Sequence, residues 1–364
     1  MIKLIFKKDN EELFWKYWEL LALEKKASLL YLRLNVEYYL AYSQNIYSDK
    51  SFVYLVDNKP VAGVFLPIEK NGNEFTGSVV GGYIHAPLLA DNSIEKNTFL
   101  MIDEIARDNN LAKIMFSIDP LMYGGNYNYL QRYNYLDTSI LTYIIDLNIS
   151  QDLLAVCRKG HRNDIKKILG DKNFEIFQID KDNPDYSIHE EYRELHHKCA
   201  GRITRDKKTF DIQFEKLKQG NAVLFGLRYK NKNIAYSYFE HNSGKAIYSS
   251  SADDPDYDEF SYYHALVFSA MEYLKKINVR YLDLSQPSSP SAQFNYYPGE
   301  KELNIAFFKR GFGGDYKQNF RGIKYFSKDL FKKDMEKFVG EYSNFLPEGE
   351  IIKMNKKTNE KFSK

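Results

Sequence analysis

One segment, from residue 222 to residue 284, constrains the fold of this chain more than any other part. It contains three predicted strands with short polar turns between them, which indicates an antiparallel meander; the strands span residues 222–229, 234–240 and 246–251. Residues 262–275 carry apolar side chains at offsets of three, four and seven, so we expect an amphipathic helix packed on that sheet. A last strand, residues 279–284, carries Asp283 at its end. The segment therefore predicts an α+β domain whose sheet is covered by helices.

The first half of the chain predicts a second unit of alternating helices and strands. Residues 51–56 and 61–68 read as two strands of a hairpin around a polar turn that contains proline. A strand over residues 112–117 is followed by Asp119 and Pro120. Functional groups of α/β sheets gather at the carboxyl ends of strands, so Asp119 is a candidate substrate contact. It could equally cap the turn that Pro120 opens.

Composition favours a soluble cytoplasmic enzyme. A chain of 364 residues is long enough for two domains with separate cores. With 51 basic and 49 acidic residues the net charge is only +2, which gives no strong attraction to DNA. Two cysteines, Cys157 and Cys199, cannot build a disulfide framework, and no cysteine–histidine spacing suggests a metal site. No apolar run approaches the length of a transmembrane segment, so none is expected.

The segment NIAFFKRGFGGDY, residues 304–316, combines aromatics, cations and glycines. Its alternating apolar residues predict a β-strand buried on both faces that ends in Lys309, Arg310 and Gly311. Side chains at the end of a rigid strand are held more accurately than those on a free loop. This suits the stabilisation of a developing negative charge. The simpler interpretation is an aromatic strand followed by an ordinary glycine turn with exposed cations.

Two other groups of basic residues are candidate sites for an anion. The first group shares a predicted helix and is balanced by a single acid. It consists of Arg158, Lys159, His161, Arg162, Lys166 and Lys167. We interpret it as a phosphate site, although a solvated charged face is the usual explanation for such a run. The second group, Arg202 and Arg205, suits an acceptor anchor because a guanidinium can bind carboxylate or phosphate with two hydrogen bonds. Its competing role is an ion pair with Asp206 or Asp211.

The order of these motifs resembles the carboxy-terminal half of the FemABX family. These transferases move an aminoacyl group onto an amine of a cell-wall precursor, and each of their halves looks like a GNAT acyltransferase domain. The resemblance covers roughly residues 150–326 well and residues 1–150 loosely. It rests above all on Phe308 and Lys309, an aromatic–lysine pair ahead of a Gly-Phe step. In the family this pair lies at the reaction centre.

The resemblance implies an α+β fold of two tandem GNAT-like domains, each with a twisted, largely antiparallel mixed sheet flanked by helices. The expected domains are residues 1–149 and 150–326, followed by a C-terminal helix and polar tail over residues 327–364. The implied activity is transfer of an acyl or aminoacyl group to an amine of a cell-envelope precursor or amino sugar. Candidate catalytic residues are Lys309 for charge stabilisation, Phe308 for shaping the pocket, and Asp283 or Asp119 for orienting or deprotonating the amine. Further candidate substrate contacts are Tyr263, Gln286 and Arg310.

The donor stays open between aminoacyl-tRNA and acyl-coenzyme A, and no tightly bound cofactor is expected. The helical arm that accompanies tRNA use in the family is missing between residues 201 and 251, and no convincing glycine-rich pyrophosphate loop is present. The expected acceptor is a small molecule or a lipid-linked glycan, as in peptidoglycan or surface polysaccharide synthesis. The alternative function is a non-catalytic module that binds a glycan or nucleotide-sugar. Its cleft would be lined by the tyrosine-rich residues 123–135, which could equally pack over the sheet.

Overall fold

The computed structural model of this chain describes residues 2–345. Residues 346–364, which contain the predicted polar tail, lie outside the described residues. The α-helices are α1 (Glu11–Glu24), α2 (Arg33–Tyr42), α3 (Glu95–Asp108), α4 (Leu153–Val156), α5 (Lys159–Gly170), α6 (Tyr186–Ala200), α7 (Lys207–Lys218), α8 (Tyr262–Lys276), α9 (Glu300–Lys309) and α10 (Lys328–Phe345).

The first half of the chain forms two sheets around one hydrophobic core. Its strands are β1 (Ile2–Phe6), β2 (Ile46–Asp49), β3 (Phe52–Val56), β4 (Lys59–Val64), β5 (Pro67–Asn71), β6 (Glu74–Gly77), β7 (Ile84–His85), β8 (Leu88–Leu89), β9 (Leu111–Ser117) and β10 (Leu136–Asp137). The predicted hairpin is formed by β3 and β4, but its second strand is interrupted before β5, which joins the other sheet. Helix α1 packs against β4 and buries both tryptophans of the chain in this core.

The second half forms one sheet in the order β12–β13–β14–β15–β16–β11–β17. These strands are β11 (Ile140–Asp146), β12 (Phe174–Ile179), β13 (Ala222–Tyr229), β14 (Lys232–Asn242), β15 (Lys245–Asp253), β16 (Tyr281–Asp283) and β17 (Asp315–Asn319). The last strand of the chain's described part, β18 (Arg321–Tyr325), belongs to a sheet of the first half. The predicted meander is confirmed, because β13, β14 and β15 pair antiparallel in sequence order. The predicted amphipathic helix is α8, which buries Leu266, Ala270 and Leu274 against that sheet.

A two-stranded ribbon joins the halves. One side of the ribbon is β10 followed closely by β11, and the other side is β17 followed closely by β18. Strand β10 pairs with β18 in a sheet of the first half, and β11 pairs with β17 in the sheet of the second half. Strand β11 was expected within the first domain, yet it hydrogen-bonds in the sheet of the second half. Because residues along a strand alternate between faces, Lys317, Asn319 and Arg321 come to one face of this ribbon.

The prediction of a strand over residues 304–308 is wrong. These residues lie in helix α9, which begins after Gly299, whose backbone N–H donates a 3.0 Å hydrogen bond to the Glu302 side chain. The helix buries Ala306 and Lys309, three positions apart and therefore on one face. A short apolar run fits strand and helix alike by periodicity, and the capping signal ahead of it was the feature that distinguished them.

A hydrogen bond from a buried, ion-paired lysine connects the halves away from the ribbon. The Lys216 ammonium on α7 lies 2.7 Å from Glu240 Oε2 on β14 and donates a 2.8 Å hydrogen bond to Asn35 Oδ1 on α2. The side chains of Lys216 and Glu240 are only 3% and 7% exposed. Breaking such a pair leaves an uncompensated buried charge, so it specifies how α2 meets the second half.

Candidate functional site

A cavity of about 540 Å³ opens between the two halves, over the ribbon that joins them. Its wall on the first half comes from α2 and the end of β9, and its wall on the second half from β15 and β16. Residues that line it include Tyr38, Tyr39, Tyr42, Tyr83, His85, Asp119, Thr142, His196, Arg205, Glu240, Ser249, Ser250, Asp283, Ser285, Gln286, Asn319 and Arg321. Functional side chains from both halves therefore face one enclosed space.

Asp119 reaches this cavity from the first half. It follows the end of β9, is 3% exposed, and accepts hydrogen bonds from the Ser28 hydroxyl and, at 2.8 Å, from the Leu121 backbone N–H. Burial raises the pKa of this carboxyl, although the two hydrogen bonds oppose the shift. Asp119 caps the turn at Pro120 and also lines the cavity, while its role as a substrate contact stays a prediction.

Asp283 reaches the same cavity from the second half, at the end of β16. Its Oδ1 accepts hydrogen bonds from the Thr142 hydroxyl at 2.6 Å and from the Ser285 N–H at 2.8 Å. Burial raises the pKa of this carboxyl to about 6, and the nearby charge of Asp119 adds to the rise. A carboxyl with such a pKa is ionised at neutral pH and can accept a proton there.

Lys309, the last residue of α9, is 6% exposed and belongs to the same centre. Its ammonium donates a 3.1 Å hydrogen bond to the Ser285 carbonyl oxygen and lies 5.8 Å from the centre of the Tyr248 ring. Burial lowers the pKa of this amine to about 8, while the Asp283 carboxylate opposes the shift. At neutral pH the ammonium is therefore still largely protonated, and it lies beside residues that line the cavity.

The sheet of the second half opens beside Lys309. Strands β15 and β16 run parallel, but only residues 245–247 of β15 pair with residues 281–283. Strand β15 continues to Asp253, so the rest of this edge has no β16 partner in the described part of the chain. Tyr248 and the Lys309 ammonium lie at the point where the two strands separate, and Ser249 and Ser250 continue into the cavity wall.

His161 holds α9 in place. Its Nε2–H donates a 2.7 Å hydrogen bond to the Phe308 carbonyl, while its Nδ1 lies 3.3 Å from the Arg158 guanidinium and accepts from it. Burial lowers the pKa of His161 to about 4, so the ring is neutral, in agreement with one donating and one accepting nitrogen. The Arg158 guanidinium also stacks on the Phe307 ring at 3.8 Å.

Gly311 allows this close packing, and its replacement by alanine is expected to destabilise the fold. A Cβ at position 311 would lie 2.0 Å from His161 Nε2, whereas a Cβ at Gly160, on helix α5, would meet nothing within 4 Å. We expect Gly311→Ala to lower the free energy of unfolding by about 1–3 kcal/mol. Urea denaturation checks this, with Gly160→Ala as the matched control of unchanged or slightly higher stability. Equal stability of both variants would contradict the packing described here.

Several predicted substrate contacts lie away from the cavity. Arg162 donates to the Cys157 carbonyl at 2.5 Å, and Arg310 donates to the Tyr316 hydroxyl at 2.6 Å. Lys166 and Arg202 are exposed. Tyr263 and Phe308 line a separate open cleft of about 640 Å³ at the start of α8. The structure therefore does not gather the basic run of α5 and Arg202 around the Lys309 centre.

Arg205 and Gln286 do line the cavity, as predicted for substrate contacts. Arg205 is 8% exposed and donates to the hydroxyls of Tyr38 and Tyr192, while its guanidinium stacks on the Phe210 ring at 4.2 Å. It makes no ion pair with Asp206 or Asp211 among the residues that the structure describes. Gln286 Nε2 donates to the Leu141 carbonyl at 2.5 Å.

The cavity also contains residues that the sequence interpretation missed. Tyr38, Tyr39 and Tyr42 of α2 have the one-and-four spacing of a helix face, which was an available signal. Asn319 and Arg321 are two positions apart and therefore lie on the same face. Nothing in the sequence indicated where that face would lie. In contrast, the tyrosine-rich residues 123–135 pack over the sheet of the first half, with Tyr129 and Tyr135 buried in its core.

Among residues 2–345, no group of three His, Cys, Asp or Glu side chains is arranged to hold a metal ion. None of the helices in this part of the chain has the length and apolar character needed to cross a membrane. No family model and no curated protein sequence matches this chain.

Solved structures share its architecture at low sequence identity. FemX superposes with a TM-score of 0.65 at 13% identity, over 86% of this chain and 97% of FemX. L-PGS from Bacillus licheniformis gives a TM-score of 0.57 at 12% identity, over 89% of this chain and 96% of its own. A tandem GNAT protein from the clavulanic acid biosynthesis pathway gives 0.53 at 13% identity, over 89% and 98%. The chain therefore shares the fold of FemX and of a tandem GNAT protein, in agreement with the α+β fold of two GNAT-like domains that its resemblance implied.

Proposed function

We propose that this protein is an acyltransferase that forms an amide bond on an amine acceptor. One observation carries the proposal: two buried carboxylates, Asp119 and Asp283, meet in a cavity between the halves beside the buried ammonium of Lys309. Each half supplies one carboxylate. Buried ionisable groups with shifted pKa values in a cavity are typical of catalytic sites, because burial there has a chemical use that offsets its cost.

The carboxylates have a direct role in amide formation. An acceptor amine arrives as an ammonium, which Asp119 and Asp283 can bind by charge and hydrogen bonds. With a pKa of about 6, the Asp283 carboxylate takes up one proton from the bound ammonium near neutral pH. The freed nitrogen lone pair then attacks the carbonyl carbon of the donor, forming a C–N bond and a tetrahedral oxyanion. Asp119 keeps the nitrogen in position for this attack.

Lys309 suits the charge that develops next. Its ammonium has three N–H donors, of which one is used at the Ser285 carbonyl. The others can stabilise the oxyanion and the departing group. The oxyanion collapses as the C–O bond of an aminoacyl ester or the C–S bond of an acyl thioester breaks. The attacking nitrogen, which is positively charged after C–N bond formation, gives up its second proton and the leaving group takes up a proton, so the neutral amide product remains in the cavity.

The donor is either an aminoacyl-tRNA or an acyl-coenzyme A, and both would bring phosphate groups. The cleft at the start of α8 suits them, because the first N–H groups of a helix favour anions and Lys301 lies in the same cleft. Phe308 lines this cleft, and the next residue, Lys309, faces the opening between β15 and β16. A donor bound there would reach the reaction centre from the side opposite the cavity. Both donors are made in the cytoplasm, where the proposal places the protein.

The proposed acceptor is an amine of a cell-envelope precursor or an amino sugar, either free or lipid-linked. The support is the size of the cavity and its lining of tyrosines, whose rings offer apolar area beside polar tips.

The proposal is tested by incubating the full chain with amino-sugar and peptidoglycan-precursor acceptors and either charged tRNA or acyl-coenzyme A. Mass spectrometry should detect an acceptor whose mass has increased by the acyl or aminoacyl group, with one donor class only. Acceptor binding without any product from either donor class would contradict the proposal. That result would favour a binding module for glycans or nucleotide-sugars.

A further inference from the structure

Arg321 lines the cavity, and protein contacts orient its guanidinium without occupying the terminal nitrogens. Its Nε donates a 3.0 Å hydrogen bond to the Thr138 carbonyl, and its guanidinium lies 4.3 Å from the centre of the Tyr83 ring. The Tyr83 hydroxyl is in turn hydrogen-bonded to the Thr138 hydroxyl at 2.7 Å. These contacts orient the planar fork of Arg321 toward the cavity. They leave both terminal nitrogens without a protein partner among residues 2–345.

No anion balances this guanidinium within the described part of the chain. No carboxylate there lies within ion-pair distance of Arg321, whereas the buried ammonium of Lys216 has Glu240 at 2.7 Å. Arg321 is partly buried. Removing a cation from water without a counter-ion is costly, and such a cation is retained where a ligand supplies the missing charge. The Tyr296 hydroxyl, close enough for its charge to interact with that of Arg321, is also buried and has no partner among residues 2–345. The region therefore offers unused donors and, among residues 2–345, no carboxylate partner for the guanidinium.

The position of Arg321 relates it to the reaction centre. In the ladder between β18 and β9, Arg321 pairs with Ser117, and Asp119 follows two residues later. Two residues along an extended chain span about 6–7 Å. A group bound by Arg321 and an amine bound by Asp119 can therefore belong to the same small part of one molecule.

We propose that Arg321 binds an anionic group, carboxylate or phosphate, which the acceptor carries a few ångströms from its reacting amine. A planar guanidinium with two free nitrogens matches the geometry of either anion. This inference rests on the proposed function, since it assigns a second recognition group to the acceptor of that reaction. It narrows the acceptor to amines that also carry a negative charge.

The test uses two pairs of probes that differ only in the anion. Lysine is compared with 1,5-diaminopentane, and glucosamine 6-phosphate with glucosamine, by titration calorimetry of the full chain without donor. We expect the anionic member of at least one pair to bind about 10-fold or more tightly than its neutral partner. In Arg321→Gln that preference should fall to about twofold or less, with Arg321→Lys intermediate because it keeps the charge but not the fork. The control is Arg280→Gln, which removes an exposed arginine paired with Asp146 and should keep the wild-type preference.

The pair that discriminates identifies the anion as a carboxylate or a phosphate, and either result supports the inference. Equal binding within both pairs in the wild type would overturn it. So would an Arg321→Gln variant, folded by circular dichroism, that keeps the preference or weakens all four probes alike. The binding readout is independent of turnover. An anion preference that depends on Arg321, without amide product from any donor, would contradict the transferase and leave the anion site standing.

Discussion

Replacement of Lys309 by alanine is expected to lower kcat for amide formation by about 100-fold or more, a typical loss when a donor to an oxyanion is removed. The ammonium is buried between the Ser285 carbonyl and the Tyr248 ring, where its charge is weakly screened and acts strongly on a neighbouring oxyanion. The measurement is single-turnover transfer followed by mass spectrometry, which separates the chemical step from product release. Near-normal single-turnover transfer by this variant would remove Lys309 from the mechanism.

A matched control separates catalysis from the loss of any buried lysine. Lys324 is 9% exposed and pairs with Asp103 at 2.6 Å, away from the cavity. We expect Lys324→Ala to lower the melting temperature while its single-turnover rate stays within about twofold of the wild type, because surviving folded enzyme keeps its centre. If both lysine variants lost activity in proportion to their stability, the effect at Lys309 would be structural.

Replacement of Asp283 by asparagine is expected to lower kcat by about 100-fold to 10,000-fold, the range found when a general base is lost. The amide keeps the shape of the carboxyl but cannot accept a proton from the acceptor. In the wild type the rate should rise with pH through about 6, as Asp283 ionises, and fall above about 8, as Lys309 loses its proton. In Asp283→Asn the rise near pH 6 should disappear and the fall near pH 8 should remain. A wild-type limb near pH 6 that persists in this variant would assign the base to another group.

The same substitution should not unfold the protein at neutral pH. The pKa of Asp283 is raised from 3.8 to about 6 on folding, so the folded state binds this proton more tightly than the unfolded state. Its contribution to stability is therefore fully present below about pH 4 and is lost as the pH rises through about 6. Asparagine carries no charge, so Asp283→Asn should be at least as stable as the wild type at pH 7. Thermal melts at pH 4 and pH 7 check this sign, with Asp146→Asn as a partly exposed control.

The periodicity of apolar residues predicted those elements whose buried face can be recognised within a short stretch of sequence. The meander of β13–β15 and the stripe of α8 were expected because a half-buried sheet face and a core-facing helix impose periods of 2 and 3.6 on local sequence. Helix α9 was misassigned because Ile305 to Phe308 is too short for those periods to separate. The start of this helix, and therefore the direction of the Lys309 side chain at its end, depended on the capping residues before it.

The candidate site divides in a similar way. Asp119, Asp283 and Lys309 were candidates from the sequence because two lie at the ends of predicted strands and one lies in a motif with unusual chemistry. Arg158 and His161 were assigned to ligand binding, yet in the structure they contact Phe307 and Phe308 and so hold α9 in place. A run of charges along a helix indicates that one of its faces is polar. Which group that face contacts depends on the elements that pack against it.

Local order in this chain was thus enough to establish two α+β units and three of the residues at their junction. Which side chains share the cavity depended on pairings between distant segments: β10 with β18, and β11 with β17, bring residues about 180 positions apart into register. Arg321 comes near Asp119 only because β18 pairs with β9, which places it opposite Ser117. Contacts between residues so far apart in the sequence form when the hydrophobic cores of the two halves are buried together, and no short stretch of residues encodes them.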